Sequence, residues 1–442
     1  MNQLAQKYIR GDTAVKIASS VEQAIRGGHL EAGAALPPVR AMAQNLRVSP
    51  ATVASAFASL KARGLVVCEG RRGTRVSHRS VMHALLPPPL PTGVRNLRDG
   101  NPDERLLPSM KPALREIDPS PRLYGSTRND ARLLSIAAAD FKAEGIPASP
   151  ISVLNGALDA MERVLRERLR PGDRVAVEDP GFGTIVDLLV TLGLSPVPVA
   201  VDQEGIVPDH LERALRTGID SLILMPRAQN PTGAAMTADR AAVLRRLLSK
   251  HPDVLVIEDD HASLICDAPR FSVIDSRRER WAVVRSMSKA LNPDLRLALL
   301  TGDARSMTGV EDRLVVGERW VSHILQRIVA WLLSEASVRK QLDRAAATYR
   351  ERRESLRRQL AQHGIESQGR SGFNVWVPVA EESAVVQGML ASGWGVSAGE
   401  RFRMRCGPAI RITASTLEPA ESARFASALA TVLKRPTRTG AA

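Results

Sequence analysis

The sequence predicts a multidomain protein: an N-terminal winged helix-turn-helix of α+β type, then a larger α/β domain with a smaller C-terminal lobe. Three observations carry this. Positive charge is concentrated at the N-terminus, a proline-rich run interrupts the chain near residue 87, and strand-like and helix-like stretches alternate beyond it. Residues 1–80 hold twelve Lys/Arg against four acids, a surplus of eight out of the chain's formal +14. A basic module of that size fits a nucleic-acid partner.

The N-terminal elements follow from spacing. From Thr13 to Ile25 apolar residues recur at helical intervals, and Gly27-Gly28 ends the helix. Leu36-Pro37-Pro38-Val39-Arg40 starts a second helix running to about Leu46, with proline suited to a first turn. Arg47-Val48-Ser49 is a tight turn in which Ser49 caps and Pro50 takes the first position of a third helix, Ala51 to Arg63. That helix turns Val53, Ala56, Phe57 and Leu60 inward and Thr52 and Ser55 outward, and Gly64 stops it. Two short strands around the turn bearing Arg71 and Arg72 complete a winged fold. The third helix is expected in the major groove of double-stranded DNA, with Arg40, Ser49, Thr52, Ser55, Arg71 and Arg72 as candidate DNA contacts.

Met82 to Gly93, with Pro87-Pro88-Pro89-Leu90-Pro91, reads as a semi-rigid spacer. The expected division is therefore 1–79, a linker at 80–96, and 97–442, with the large lobe at about 97–310 and the small lobe at about 311–442. Helices are expected at Asn129–Glu144, Ala157–Leu169 and Ala238–Leu248. Strands are expected at Arg174–Glu178, Ser195–Val201, Ser221–Met225, Val254–Glu258, Trp281–Arg285 and Arg296–Thr301, in a largely parallel sheet. The chain has no apolar run near the ~20 residues of a membrane span and no hydrophobic N-terminal core, which gives a cytoplasmic expectation. Three scattered cysteines fit a reducing compartment, without a zinc or disulfide framework.

The chemistry centres on Arg285-Ser286-Met287-Ser288-Lys289, followed seven residues on by Arg296. A lysine at the end of an apolar strand, with hydroxyls before it and an arginine after, is the set that pyridoxal 5′-phosphate requires: Lys289 for a Schiff base, and Ser286, Ser288 and Arg296 for the phosphate. Gly156-Ala157 opens a helix whose N-terminus favours the same phosphate. Asn230, in Arg227-Ala228-Gln229-Asn230-Pro231-Thr232-Gly233, can donate to the cofactor's 3′-oxygen, and its bond to Pro231 is a candidate cis peptide. Asp259, in Glu258-Asp259-Asp260-His261, suits a protonated pyridine nitrogen. The same acidic cluster, with His261, fits a metal, but no second ligand group of suitable spacing accompanies it and no metal is expected.

Two resemblances follow. Residues 10–77 resemble the DNA-binding domain of GntR-type bacterial regulators, in Leu36-Pro37-Pro38-Val39-Arg40-Ala41-Met42-Ala43 and Val48-Ser49-Pro50-Ala51-Thr52-Val53; Pro50 stands where that family commonly has arginine. The order Gly156-Ala157, Asn230-Pro231, Asp259, Lys289, Arg296 is similar to that of fold type I aminotransferases over residues 97–435. That resemblance implies that Phe182 stacks on the pyridine ring, that Arg411 binds a substrate carboxylate, and that Tyr124-Gly125 reaches the phosphate of a partner subunit. His261 stands where the family usually has a tyrosine touching the 3′-oxygen. The pairing resembles MocR-type transcriptional regulators, in a branch associated with vitamin B6 metabolism. It implies a dimeric, PLP-responsive DNA-binding regulator with little or no transaminase activity. The competing readings are an active aminotransferase with an accessory DNA-binding module, and a regulator that has lost PLP.

Overall fold

The computed structural model describes residues 8–26, 29–31, 33–62, 65–68, 73–76, 89–147 and 150–434. Gly27-Gly28, Gly64, the wing-tip residues Arg71 and Arg72, and the linker through Pro88 lie outside the described residues. The chain divides into two compact units, one of Met1–Pro87 with Arg170–Val175 and Gly183–Pro196, the other of the remainder.

In the first unit, α1 (Ala14–Arg26), α2 (Val39–Leu46) and α3 (Pro50–Ala62) precede an antiparallel ribbon of β1 (Val66–Cys68) and β2 (Thr74–Val76). Val53, Ala56, Phe57 and Leu60 are all buried, packed with Ile17, Val21 and Met42 as the helical spacing requires. Ser49 Oγ accepts from the Thr52 amide at 3.1 Å at the start of α3, as an N-capping serine should. Arg47 makes the turn in the left-handed region, φ 54°. The second helix begins later than expected, at Val39, because the Leu36 amide donates to Thr74 O at 2.8 Å and this stretch pairs with the ribbon instead.

The remaining elements are β3 (Arg95–Asn96), α4 (Lys111–Glu116), α5 (Ala131–Ala143), β4 (Ile151–Leu154), α6 (Ala157–Arg168), β5 (Arg174–Asp179), α7 (Gly183–Thr191), β6 (Ser195–Asp202) and β7 (Gly205–Ile206). They continue with α8 (Pro208–Arg216), β8 (Ser221–Leu224), α9 (Ala238–Ser249), β9 (Leu255–Asp260), β10 (Trp281–Ser286), β11 (Ala298–Gly302), α10 (Ala304–Val316), α11 (His323–Ser334) and α12 (Ala336–Gln362). The last are β12 (Asn374–Pro378), α13 (Glu382–Ala391), β13 (Trp394–Gly395), β14 (Ser397–Ala398), β15 (Ala409–Thr413) and α14 (Pro419–Lys434).

An eight-stranded sheet has the order β4-β11-β10-β9-β8-β5-β6-β7. Strands β8, β9 and β10 are mutually parallel, but β11 runs antiparallel to both β10 and β4. Strands β4, β8, β9 and β10 thus share one direction, as expected of a largely parallel sheet, and β11 runs against them. The reason is the short β10–β11 connection, which carries Lys289 and has no crossover helix, so the chain must return antiparallel. Arg296, expected to open a strand, sits before β11 with φ 45°.

The cores divide the chain differently from a break near residue 311. Val321, Ile328, Val329, Leu342 and Tyr349 join the core of the large sheet. The small lobe has its own core of Leu356, Leu360, Val375, Ile410 and Phe425, and Leu97 belongs to it. Helix α12 contributes to both cores. Among the described residues no helix is long and apolar enough to cross a membrane.

Candidate cofactor site

Strand register assembles the site. Leu154, Ala298 and Ser286 are aligned across β4, β11 and β10, and Arg285 is aligned with Asp260 on β9. Gly156, Arg296, Ser288, Lys289 and His261 lie just beyond these positions, so one sheet edge gathers residues far apart in sequence. Ligands of α/β sheets bind at such carboxyl ends. Asn230 follows β8 at the same edge, and its peptide bond to Pro231 is cis.

The two adjacent carboxylates of β9 face opposite sides of the sheet. Asp260 receives two 2.9 Å hydrogen bonds from Arg227 and another at 3.2 Å from Arg285. Burial opposes its ionisation, but Arg227, Arg285 and Arg270 hold it far below the usual carboxylate range. Asp259 is equally buried and has no such cation. Its Oδ1 lacks a hydrogen-bond partner among the described residues, and burial, with Asp260 beside it, pushes its pKa up to about 7. An unpaired buried carboxylate is costly, and a protonated ring nitrogen is the kind of group that would satisfy it.

Lys289 is half-buried, and desolvation, with Arg411 and Arg296 nearby, lowers its pKa to about 8. An appreciable neutral fraction near pH 7.5 makes it nucleophilic. Its Nζ donates to the Gly100 carbonyl at 2.6 Å. His261 is held neutral, its pKa lowered to about 4 by burial and by Lys289, and its buried Nδ1 has no partner among the described residues.

Gly156 caps α6 with φ 96°, and a Cβ there would meet Arg296 Nη2 at 3.2 Å. A backbone that only glycine adopts easily, an arginine beside it and a helix N-terminus at Ala157 make an anion cradle. Ser286 Oγ, buried, accepts from the Ser288 amide at 3.3 Å. Phe182 is half-buried after the cis Asp179–Pro180 bond. The donor set and the two orphaned polar atoms together fit pyridoxal 5′-phosphate. Among the described residues no group of His, Cys, Asp and Glu has the makings of a metal site.

Arg411 enters from the small lobe, on β15 aligned with Trp376 and Ser397. It is buried, its guanidinium lies 4.5 Å from the Phe402 ring centroid, and it donates to Asn230 Oδ1 at 3.1 Å and to the Arg98 carbonyl. Burial, then Arg401, lowers its pKa to about 10. Tyr124 is strongly exposed and packs edge-on against Trp320.

Sequence reasoning missed the charge network behind the site. Arg227 and Arg285 share Asp260 and Glu144, and Arg270 meets Glu258. The available signal was the charge embedded in apolar strands. In the winged unit Arg40, Ser49 and Ser55 are exposed and Thr52 is half-buried, so the structure leaves these side chains at the surface.

Comparison with known proteins agrees with this geometry. The profile "Aminotransferase class I and II" matches residues 92–429, and "Bacterial regulatory proteins, gntR family" matches 13–76. The vitamin B6 salvage pathway transcriptional repressor PtsJ of Salmonella typhimurium is 39% identical, covering 97% of this chain and 100% of that one. The pyridoxine biosynthesis regulator PdxR of Corynebacterium glutamicum is 26% identical over 76% of each chain, and the probable rhizopine catabolism regulatory protein MocR of Rhizobium meliloti is 26% identical over 74% and 73%. Among solved structures, an archaeal alanine:glyoxylate aminotransferase has a TM-score of 0.70 at 23% identity, covering 77% of this chain and 91% of that one, which shows the shared fold. With a gntR module ahead of an aminotransferase class I and II domain, and near full-length similarity to such regulators, the chain belongs to the MocR-type transcriptional regulators.

Proposed function

We propose that the protein is a cytoplasmic, homodimeric transcriptional regulator that binds pyridoxal 5′-phosphate at Lys289 and adjusts its grip on operator DNA accordingly. The observation that carries this reading is the buried Asp259 Oδ1, without a hydrogen-bond partner among the described residues, at the sheet edge that also holds the half-buried Lys289 amine. When bound, the cofactor supplies an aldehyde that condenses with an amine, releasing water, and a ring that withdraws electrons. The chain's residues do the rest.

Lys289 offers the neutral amine, and Asp259 holds a proton at the ring nitrogen. Asn230 and His261 would meet the 3′-oxygen, Phe182 would cover the ring, and Gly156, Ala157, Ser286, Ser288 and Arg296 would hold the phosphate. Arg411 takes the carboxylate of an amino acid or related ligand. On DNA, Arg40, Ser49, Thr52 and Ser55, with Arg71 and Arg72, make the contacts, and two copies read paired half-sites. The names of PtsJ and PdxR support genes of vitamin B6 metabolism as targets. The same residues also permit a transaminase half-reaction, and we assign at most weak turnover.

The test is the visible absorption of the purified protein with added pyridoxal 5′-phosphate, beside Lys289→Ala. A band that needs the lysine is expected; no band, or one that survives the substitution, would sink the reading. With the band in hand, DNA affinity is measured with and without the cofactor. Equal affinities would remove the switch, since a ligand shifts an equilibrium only by its differential affinity for the two states. Sustained turnover of an amino acid with a 2-oxo acid would favour an enzyme.

A further inference from the structure

The two cations that define the ligand site are both engaged by one short stretch of backbone. Lys289 Nζ donates to the Gly100 carbonyl at 2.6 Å, and Arg411 donates to the carbonyl of Arg98, two residues earlier. The contacts come from opposite lobes: Lys289 follows β10 of the large sheet, and Arg411 stands on β15 of the small one.

The stretch is shaped for this position. Asn96 Oδ1 accepts from the Arg98 amide at 3.0 Å while its Nδ2 donates to Asp99 at 2.6 Å, a side-chain turn that presets the bend. Gly100 has φ 69°, and a Cβ on it would lie 3.1 Å from Arg411 Nη2 and 3.3 Å from Nη1. Both the backbone and the guanidinium therefore demand glycine there.

Both ends are fixed. Upstream, Arg95 and Asn96 pair in parallel with Trp394 and Gly395, and Leu97 is buried in the small-lobe core. Downstream, Ser415 Oγ donates to Asn101 O at 2.6 Å, and Asp103 pairs with Arg352 at 2.9 Å. Only the middle, Arg98 to Gly100, crosses the two cations.

We infer that residues 96–101 form an intramolecular strap that competes with ligand for Lys289 and Arg411, so that occupancy of the site displaces the strap. The inference rests on the cofactor reading above. A group that takes the Lys289 amine removes the donor from Gly100 O, and a carboxylate that takes both Arg411 nitrogens displaces Arg98 O. A carbonyl is a weaker partner for a guanidinium than a bidentate carboxylate, so a ligand carrying a carboxylate wins the competition at Arg411. The strap begins at Asn96, four residues (Thr92 to Arg95) after the Pro87-Pro88-Pro89-Leu90-Pro91 run, and Leu90 packs against Gly395 beside the anchored end. Ligand entry is thereby registered where the linker meets the aminotransferase-like domain.

The test is hydrogen–deuterium exchange of the full-length protein, read on peptides spanning residues 94–103, with the Lys289-dependent absorption band followed in parallel. The probes are pyridoxal 5′-phosphate alone and N-(5′-phosphopyridoxyl)-L-leucine, which adds a carboxylate. Ligand binding ordinarily slows exchange nearby, whereas strap displacement releases the Arg98 amide from Asn96 and quickens it. We expect exchange about threefold to tenfold faster with either probe: the cofactor takes the Lys289 amine and removes the contact to Gly100 O, whereas the adduct, which has no aldehyde and leaves Lys289 free, removes the Arg411 contact to Arg98 O. A band without faster exchange under either probe overturns the strap and leaves the cofactor reading standing. Absence of the band overturns the cofactor reading, and the strap with it.

Discussion

Lys289 was legible because its neighbours are local: hydroxyls, a strand and Arg296 all lie within a dozen residues. Its working environment was not. The Gly100 carbonyl that meets it is 189 residues away, and Arg411, which with burial and Arg296 lowers its pKa, enters from another sheet. Single-sequence reasoning sees spacing and misses such pairs. The environment sets a testable pH dependence. Only the neutral amine attacks an aldehyde, and with a pKa of about 8 that fraction grows roughly tenfold per pH unit below 8 and levels off above it. Stopped-flow absorbance with pyridoxal 5′-phosphate from pH 6 to 9.5 should give a rate that rises and then flattens near pH 8. A rise continuing to the ordinary lysine range would show that burial does not depress this amine.

Strand β9 shows what alternation does with two acids in a row. One face of the sheet uses Asp260 to hold Arg227 and Arg285, which also reach Glu144 on the turn after α5; the other presents Asp259 to the site. The acids were visible in the sequence, and so was their place at a strand end, but nothing local distinguished the tied carboxylate from the free one. Strand direction was equally invisible: apolar runs locate β10 and β11, whereas their antiparallel pairing follows from the short connection between them. Asp260→Asn should destabilise the aminotransferase-like domain by about 3–5 kcal/mol, because it leaves two buried guanidinium groups with less charge to meet them. A thermal melt of the full chain would show its main transition lowered by several degrees; an unchanged midpoint would mean that Glu144 alone suffices.

For the whole molecule the distribution of charge matters more than its sum. The first eighty residues carry most of the formal +14, and the exposed Arg40, Ser49 and Ser55 lie in this stretch. Binding to a mixed-sequence DNA duplex should therefore weaken at least tenfold, roughly, between 50 and 200 mM salt as condensed counterions are released. Anisotropy titrations would check this, and a flat salt profile would count against phosphate contacts. Asp259 has one more consequence. A chain that buries a carboxylate oxygen with no partner among its described residues is less stable than its fold alone would make it, and a partner arriving with the ligand restores the difference by mass action. Cellular proteases act on the transiently opened fraction, so the lifetime of this regulator should lengthen when the vitamer is plentiful and shorten when it is scarce. The number of copies then carries the same signal as the occupancy of each copy.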